Sequence, residues 1–245
     1  MVALHGYGAP GGEAHARALG LVALADEQGF VLAMPDGTVD SRGARFWNAS
    51  DACCDFDHTG VDDVSYIGWV IHDAGGKVPV DPARVFVIGH SNGGFLAHRL
   101  ACDLAPRIAG VVSIAGVAWK DTARCAPAEP VSVLQIQGDA DAIIRTGGGR
   151  VFDQPLPEYP STSETLSMWA QKDGCGAGAQ PAPLPIDFDD LVPGAETTRT
   201  GYASCRDGVT VDLWTVRGGS HVPRPSRAGL QAIAAWMTTH PKHGR

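Results

Sequence analysis

The segment Gly89-His90-Ser91-Asn92-Gly93 carries the strongest chemical signal in this sequence, because it fits the pattern G-x-S-x-G. A strand-like run precedes it and a helix-like run follows it, as in a nucleophile elbow, where a strained turn lifts a serine hydroxyl above a sheet. The flanking glycines suit such a turn, since a Cβ there would clash with neighbouring backbone. The pattern predicts Ser91 as the nucleophile of an acyl transfer. The alternative is a glycine-rich turn that holds a serine by chance.

A serine hydroxyl is a weak nucleophile at neutral pH and needs a general base, which a carboxylate orients. In this arrangement the chain order is serine, acid, histidine. Asp141 lies just past a strand-like run, and we prefer it to Asp139, whose alternative role is to cap a turn. His221 follows the last strand-like run behind paired glycines and is the predicted base. The other histidines are expected in solvent or in the core, among them His58, His72, His98 and His240.

Two backbone N–H groups are needed to hold the oxyanion of a tetrahedral intermediate. We expect one from Asn92, the residue after the nucleophile, and the other from Tyr7 in the loop His5-Gly6-Tyr7-Gly8. The side chain of His5 is expected to brace this loop rather than to take part in the reaction.

Two tryptophans are predicted to contact the substrate. Trp47 lies in the segment 38–60, which we expect to fold over the site, and Trp119 follows the strand-like run Ala109–Ile114. Open α/β sheets bind ligands outside the carboxyl ends of their strands, and aromatic rings there would give a flat apolar surface. The alternative for both tryptophans, and for the neighbouring Phe46, is packing onto the core.

Acidic residues are frequent between Asp51 and Asp63, yet no spacing of the H-E-x-x-H kind supports a catalytic metal. We therefore predict no metal, with a calcium site in the loop Asp51–His58 as the alternative. Asp62 and Asp63 are expected to be carboxylates at a helix N-terminus, where the helix dipole favours negative charge.

The elements that position these residues follow from short apolar runs alternating with amphipathic stretches, the pattern of a mostly parallel sheet flanked by helices. The predicted strands are Val2–Leu4, Phe30–Met34, Arg84–Ile88, Ala109–Ile114, Val131–Gln137, Thr197–Tyr202 and Val209–Val216. The predicted helices are Ala14–Gln28, Val61–Ala74, Ser91–Leu104, Ser163–Lys172 and Arg227–Thr238. Residues 174–194, rich in Gly, Ala and Pro, are expected to form a surface excursion. No repeat or boundary divides the sequence, so we predict one α/β catalytic domain over residues 1–245.

Composition narrows the function classes. The chain has 245 residues, is 44% hydrophobic and 19% charged, and has a formal net charge of −8. Its scattered Lys and Arg form no basic stripe, so we expect no nucleic-acid partner. No apolar run has the length of a membrane span, so we expect no membrane partner, and we expect no signal peptide in this sequence. The oligomeric state stays open at this stage.

Six cysteines give the main clue to the compartment. Their even number and the absence of zinc-type C-x-x-C pairs favour disulfides and export, with buried thiols in a cytosolic enzyme as the alternative. Cys102 and Cys125 are a plausible bridge, because one ends a predicted helix and the other follows the next strand. Cys175 and Cys205 flank the surface excursion and would tie its ends together. Cys53 and Cys54 would then form a vicinal bridge or stay reduced.

Taken together, the chain resembles the polyhydroxybutyrate depolymerase and feruloyl esterase group of α/β-hydrolases over nearly its whole length. The matching pieces are HGYG at 5–8, GFVLAMPDG at 29–37, FWN at 46–48, VDDVSYI at 61–67, VDPARVFVIGHSNGG at 80–94, SIAG at 113–116, QGDAD at 137–141, WAQKDGC at 169–175 and GGSH at 218–221. The resemblance implies a secreted, disulfide-bonded protein without a cofactor. It further implies hydrolysis of carboxylic esters, including polyesters and aryl esters of plant polysaccharide.

The sequence departs from this group in two places. Only four residues precede His5, so we expect either a truncated product or a sheet without the first edge strands of the group. After GGSH the chain reads Val222-Pro223-Arg224-Pro225 and lacks the Trp usual there, which would alter the rim of the pocket.

The hypothesis is thus a secreted serine ester hydrolase that acts on polyesters or aryl esters, with short hydroxyalkanoate polyesters slightly preferred on the resemblance alone. A feruloyl or acetyl esterase acting on plant polysaccharide is the alternative within this chemistry. A serine peptidase or a binding protein on a hydrolase scaffold represents other classes. The complete set of Ser, His and Asp argues against a binding protein.

Overall fold

The computed structural model describes residues 1–153, 155–176, 178–182 and 185–242, which places residues 177, 183 and 184 of the expected surface excursion outside the described part. The strands are β1 (Val2–Leu4), β2 (Thr38–Val39), β3 (Arg45–Phe46), β4 (Phe86–His90), β5 (Gly110–Ile114), β6 (Ser132–Gly138), β7 (Gln180–Pro181), β8 (Thr197–Tyr202) and β9 (Val211–Val216). The α-helices are α1 (Gly12–Ala18), α2 (Leu21–Gln28), α3 (Asp63–Lys77), α4 (Asn92–Asp103), α5 (Thr162–Lys172) and α6 (Arg227–Thr239).

A seven-stranded sheet in the order β1-β4-β5-β6-β9-β8-β7 forms the centre of the fold. The first five strands in this order pair in parallel, and β8 and β7 continue the sheet in antiparallel pairing. The prediction of a mostly parallel sheet flanked by helices is therefore confirmed. β2 and β3 form a separate antiparallel pair.

Two apolar clusters cover the two faces of the sheet. One contains side chains of α3, α4 and α5, and the other contains side chains of α2 and α6. Successive strand residues alternate between them, so that Val111 and Val133 belong to the first cluster and Val112 and Leu134 to the second. Strands that are buried on both faces have nearly continuous apolar sequences, which is why the short apolar runs of this sequence predicted β4, β5 and β6.

Two predicted elements are wrong. The helix predicted over Ala14–Gln28 is interrupted at Gly20, whose φ of 75° lies in the left-handed region, and it forms α1 and α2 instead. The strand predicted over Phe30–Met34 contributes only an isolated bridge between Ala33 and Val2. Ala33 donates its N–H to the carbonyl of Met1 and accepts from the N–H of Ala3, so this segment lies beside β1 without forming a regular strand.

The cysteines form three disulfides and none is free. Cys102–Cys125 and Cys175–Cys205 are the two bridges predicted from the sequence, and of the two alternatives for Cys53 and Cys54 the structure has the vicinal bridge. No helix among the described residues is both long and apolar enough to cross a membrane.

The Cys175–Cys205 bridge spans a sequence separation of 30 residues, and we predict that it stabilises the fold by restricting the unfolded chain. Replacing both cysteines by serine should lower the free energy of unfolding by about 3–4 kcal/mol. Urea titration followed by tryptophan fluorescence would measure the loss. A double variant as stable as the parent protein would contradict the prediction.

Candidate active site

Ser91 lies between β4 and α4 with a φ of 52° and a ψ of −120°, a strained backbone conformation for a residue with a side chain. Its N–H donates to the carbonyl of Ile114 at 2.8 Å, which ties the turn to β5. Glycine is required on both sides of Ser91. A Cβ on Gly89 would lie 2.0 Å from the carbonyl oxygen of Gly93, and a Cβ on Gly93 would lie 2.4 Å from that of Leu4.

Ser91, His221 and Asp141 form one hydrogen-bonded row. The Ser91 Oγ lies 2.9 Å from Nε2 of His221, and Nδ1 of the same ring lies 2.8 Å from Oδ2 of Asp141. Because a carboxylate only accepts, Nδ1 carries the proton, and Nε2 is left to accept from the serine hydroxyl. The side chain of Asp141 is 0% exposed and that of His221 11%, so the acid and the base are largely shielded from water, while Ser91 is half-buried.

The two aspartates that follow β6 make different contacts. Oδ1 of Asp141 accepts from the N–H groups of Ile143 and Ile144, both at 2.8 Å, and Oδ2 faces His221. Asp139 is exposed, and its carboxylate accepts from the N–H of Gly218 at 2.6 Å. Asp139 therefore connects the loop after β6 to the loop that carries the imidazole.

The loop of residues 5–8 lies against the nucleophile, since a Cβ on Gly6 would be 3.4 Å from Cβ of Ser91. His5 is buried in this loop. Its Nδ1 donates to the carbonyl of Gly6, and its Nε2 accepts from the N–H of Gly37. Within the described part of the chain, the N–H groups of Tyr7 and Asn92 donate to no acceptor. These two N–H groups are thus available to a substrate oxygen.

The side chain of Asn92 makes contacts that sequence reasoning missed. Its side chain pairs with the backbone of Trp47, accepting from the N–H at 2.7 Å and donating to the carbonyl at 2.9 Å. Asn92 is fully buried, so the pair fixes the loop after β3 directly beside Ser91. In the sequence, the only sign of these contacts was a polar residue at the second x of G-x-S-x-G, a position at which the motif accepts any residue.

The structure corrects the prediction for Trp47. Its side chain is 0% exposed, stacks on His5 with ring centroids 4.7 Å apart, and donates its indole N–H to the carbonyl of His5. Phe46 is equally buried. The alternative of core packing thus holds for both, because the amide of Asn92 pulls this segment inward. Trp119 is buried as well, at 6% exposure, and packs in the apolar cluster that contains side chains of α3, α4 and α5, while part of it lines a surface cleft.

This cleft has a volume of about 570 Å³, and Ser91, Asp141 and His221 are not among its lining residues. It is linked to the elbow through Cys53, whose Sγ accepts from the side-chain amide of Asn92 at 3.6 Å. Phe56, Trp119 and the Cys53–Cys54 bridge form part of the lining of this cleft, and charged side chains, among them Arg99 and Arg124, form another part. Phe56 packs edge-on against Tyr7 with ring centroids 5.0 Å apart, which connects the cleft wall to the loop next to Ser91. Val222, the residue after His221, is 58% exposed and adds an apolar side chain near the imidazole.

A second residue missed at the sequence level is His90. It is buried within the motif, and its Nε2–H donates to the backbone carbonyl of His221 at 2.8 Å, which anchors the loop of the base. Burial lowers the pKa of His90 to about 3, so the ring is neutral. His15 stacks on it at 5.2 Å, and burial likewise lowers the pKa of His15 to about 4.

The acidic segment 51–63 is occupied by structural contacts. Asp55 accepts from the N–H groups of Thr59 and Gly60, and Asp62 caps α3 by accepting from the N–H of Ser65. Asp63 is buried and accepts from the N–H of Asn48, and burial raises its pKa to about 6. Among the described residues no group of three or more His, Cys, Asp or Glu side chains is arranged to hold a metal ion.

The sequence is similar to proteins named as esterases, while no protein-family model matches it. "Putative esterase NocK" of Nocardia uniformis subsp. tsuyamanensis is 32% identical over 230 residues, which are 89% of this chain and 63% of that protein. Feruloyl esterase B of Piromyces equi is 28% identical over 211 residues, covering 84% of this chain and 36% of that protein. The chain thus spans less than two thirds of the length of either relative.

Solved structures share the fold at low sequence identity. An acetyl xylan esterase from Aspergillus awamori matches with a TM-score of 0.64 and 17% identity, covering 97% of this chain and 87% of that one. SOBER1 from Arabidopsis thaliana matches with a TM-score of 0.59 and 14% identity, covering 98% of this chain and 97% of that one. With the sheet order described above, these matches establish the α/β-hydrolase fold.

We predict that His90 makes the protein sensitive to acid. Because its pKa is lowered from 6.5 to about 3 in the folded protein, the unfolded chain binds the proton first, and stability falls as the pH drops through this range. The slope from one such group is at most about 1.4 kcal/mol per pH unit.

His90→Phe should cost about 1 kcal/mol at pH 7 through the lost hydrogen bond, and should lose less stability than the parent protein on acidification. Urea titrations at pH 7, 6 and 5 would measure both curves. Parallel curves would show that His90 does not contribute to the acid sensitivity.

Proposed function

We propose that this chain is a serine hydrolase of carboxylic esters, with Ser91 as nucleophile, His221 as general base and Asp141 as the acid that orients the base. The row of hydrogen bonds from Ser91 to Asp141 carries the proposal, since it joins a hydroxyl, an imidazole and a buried carboxylate at 2.9 Å and 2.8 Å. The similarity to proteins named as esterases supports the ester as substrate.

The reaction begins when Ser91 Oγ attacks the ester carbonyl carbon and Nε2 of His221 takes the hydroxyl proton. The N–H groups of Tyr7 and Asn92 stabilise the oxyanion of the tetrahedral intermediate. Asp141 holds the imidazole with Nδ1 protonated and stabilises the positive charge that the ring acquires.

Collapse of the intermediate releases the alcohol, which takes the proton from Nε2, and leaves an acyl-enzyme on Ser91. Water then attacks the acyl carbon while Nε2 of His221 accepts a proton from it. The second tetrahedral intermediate collapses, Ser91 Oγ leaves and takes that proton back from Nε2, and the acid product is released. Every step uses side chains and backbone of this chain together with water, so the proposed reaction needs no cofactor.

For the substrate we propose aryl esters, such as hydroxycinnamoyl esters of sugars. The cleft, which is linked to the site through the contacts of Phe56 with Tyr7 and of Cys53 with Asn92, is lined in part by Phe56 and Trp119. Aromatic rings give a large apolar contact with little loss of conformational entropy. Relatives named feruloyl esterase B and feruloyl esterase D support the same class. A polyester chain is the second candidate, because its repeating apolar units would suit the same surface.

The proposal includes secretion. Disulfides persist in oxidising compartments and are rare in the cytosol, and this chain has three.

Ser91→Ala should remain folded and lose activity on p-nitrophenyl acetate by about 10⁴-fold or more in kcat. Phenylmethylsulfonyl fluoride should label Ser91, as mass spectrometry of the digested protein would show. A folded Ser91→Ala protein with near-parental turnover would exclude this serine as the nucleophile. The absence of any turnover in the parent protein would instead favour a binding protein.

The two aspartates after β6 provide a matched pair of variants. Asp141→Asn should lower kcat by roughly 10⁴-fold, because the amide holds the imidazole in the wrong tautomer. Asp139→Asn should cost much less in kcat, since Asp139 contacts the backbone of Gly218 and not the ring. Reversed effects would mean that the wrong carboxylate has been chosen.

Trp119→Ala should raise KM for methyl ferulate by about 3- to 10-fold, the loss of one aromatic contact, and leave p-nitrophenyl acetate nearly unchanged. Trp69→Ala is the control, since Trp69 is 58% exposed on α3 and does not line the cleft. Release of 3-hydroxybutyrate oligomers from polyhydroxybutyrate, without release of ferulate, would decide against aryl esters.

A further inference from the structure

Strand β6 contains two buried glutamines that the proposed reaction does not use. Gln135 is 0% exposed and Gln137 is 1% exposed. They stand two residues apart and therefore point to the same face of the sheet, the face covered by α4 and α5. Burying an amide without partners is costly, so the contacts of these side chains require an explanation.

The glutamines belong to a chain of hydrogen bonds that starts in α5. The indole Nε1–H of Trp169 donates to Nδ1 of His98 at 3.0 Å, and Nε2 of His98 lies 2.9 Å from Oε1 of Gln135. All three residues are 0% exposed. The chain continues from Nε2 of Gln135 to Oε1 of Gln137 at 3.3 Å.

The chain ends on the proposed acid. Nε2 of Gln137 donates to Oδ2 of Asp141 at 3.2 Å and to the carbonyl of Ile144 at 2.9 Å. Oδ2 is the same oxygen that accepts from Nδ1 of His221. The carboxylate therefore has four donors, two backbone N–H groups on Oδ1 and two side chains on Oδ2.

The groups at the two ends of this chain of hydrogen bonds determine which atom donates and which accepts at every link. An indole N–H can only donate, so Nδ1 of His98 must accept and its proton must lie on Nε2. Oε1 of Gln135 then faces a donor, and its amide N–H₂ is directed to Gln137. At the other end a carboxylate and a backbone carbonyl can only accept, which requires the N–H₂ of Gln137 there. Burial lowers the pKa of His98 to about 4, which keeps the ring neutral, as this order demands.

We propose that Gln137 is a positioning residue for the ester hydrolysis described above, acting through Asp141, and that Trp169, His98 and Gln135 fix the orientation of its amide. The inference rests on the proposed function of the Ser91 row. Gln137 contacts no substrate. Its N–H₂ holds Oδ2 of Asp141 in the direction from which that oxygen receives the Nδ1 proton of His221.

The physical consequence concerns the imidazole. Two backbone N–H groups hold Oδ1, while Gln137 is, among the residues that the structure describes, the remaining donor on Oδ2 besides the base itself. Without that donor the carboxylate can rotate about its Cβ–Cγ bond and carry the imidazole away from Ser91. Small misplacements of a catalytic group lower the rate steeply, by up to about 10²-fold for 1 Å.

Gln137→Met tests the proposal, because methionine is unbranched, of similar length, and cannot donate. With p-nitrophenyl acetate we expect kcat to fall by about 10- to 100-fold and KM to stay within about twofold, since the effect is on the catalytic groups and not on binding. Gln171→Met is the matched control, because Gln171 is exposed on α5, and it should retain parental kinetics. Gln135→Met removes the preceding link and should lower kcat in the same direction by a smaller factor.

A double-mutant cycle separates positioning from a structural contribution to the core. In an Asp141→Ala background, adding Gln137→Met should change the residual kcat by less than about twofold, because the group through which Gln137 acts is gone. An equal loss in both backgrounds would overturn the proposal. So would a folded Gln137→Met protein with kcat within about twofold of the parent. If Gln137→Met fails to fold, Gln135→Met replaces it in the double-mutant cycle with Asp141→Ala, and the same comparison of kcat in the two backgrounds tests the proposal.

A spectroscopic readout makes the test independent of turnover. The Nδ1 proton of His221 should give a downfield proton resonance that disappears in Asp141→Ala and shifts in Gln137→Met but not in Gln171→Met. An unshifted resonance in Gln137→Met would overturn the positioning role. Lack of Ser91-dependent turnover in the parent protein would overturn the proposed function instead, and the resonance would still report on Gln137.

Discussion

At Ser91 the chain passes from strand to helix with a φ of 52°, and the contacts around this residue limit how the neighbouring elements can be arranged. Gly93 lies against the carbonyl of Leu4, where a Cβ would be 2.4 Å from the oxygen, so β1 and α4 must approach closely. On the other side, Gly94 and Gly116 leave equally little room between α4 and the segment after β5. A strained serine persists only where its surroundings over-determine it, and these backbone contacts do so.

The parallel sheet then brings the other two members of the row to the same place. Because β6 and β9 are neighbours and parallel, their carboxyl ends lie at one edge, and the loops that follow them meet. The N–H of Ala140 donates to the carbonyl of Gly219, and the carboxylate of Asp139 accepts from the N–H of Gly218, so the two loops are joined just before Asp141 and His221. The distance between acid and base is thus a property of strand order.

Polar groups inside the core fix the orientation of the side chains and loops that form the site. An apolar core alone would permit several orientations of the Asp141 carboxylate and of the loop that carries Trp47. The amide of Asn92 selects one orientation of that loop, His90 anchors the carbonyl of His221, and the chain that ends at Gln137 selects one for the carboxylate. Each of these three side chains donates to an acceptor, so exchanging any of them leaves an unpaired group, which is costly away from water.

The sequence alone determined the strand–turn–helix around Ser91 and most strands, because apolar patterns and glycine requirements are local properties. It also predicted the chain order of the proposed triad and, from the positions of the cysteines relative to the predicted elements, two disulfides. The continuation of a helix through Gly20 was wrong, since periodicity does not register a left-handed residue. Trp47 was assigned to the substrate, and only the tertiary structure decided its burial. Its backbone pairs with a side chain 45 positions away, and Asp141 and His221 meet across 80 positions. Such contacts depend on strand order and helix packing, so the partner of the Asn92 side chain and the contacts of His98 with Gln135 and Trp169 became visible only when distant segments were brought together.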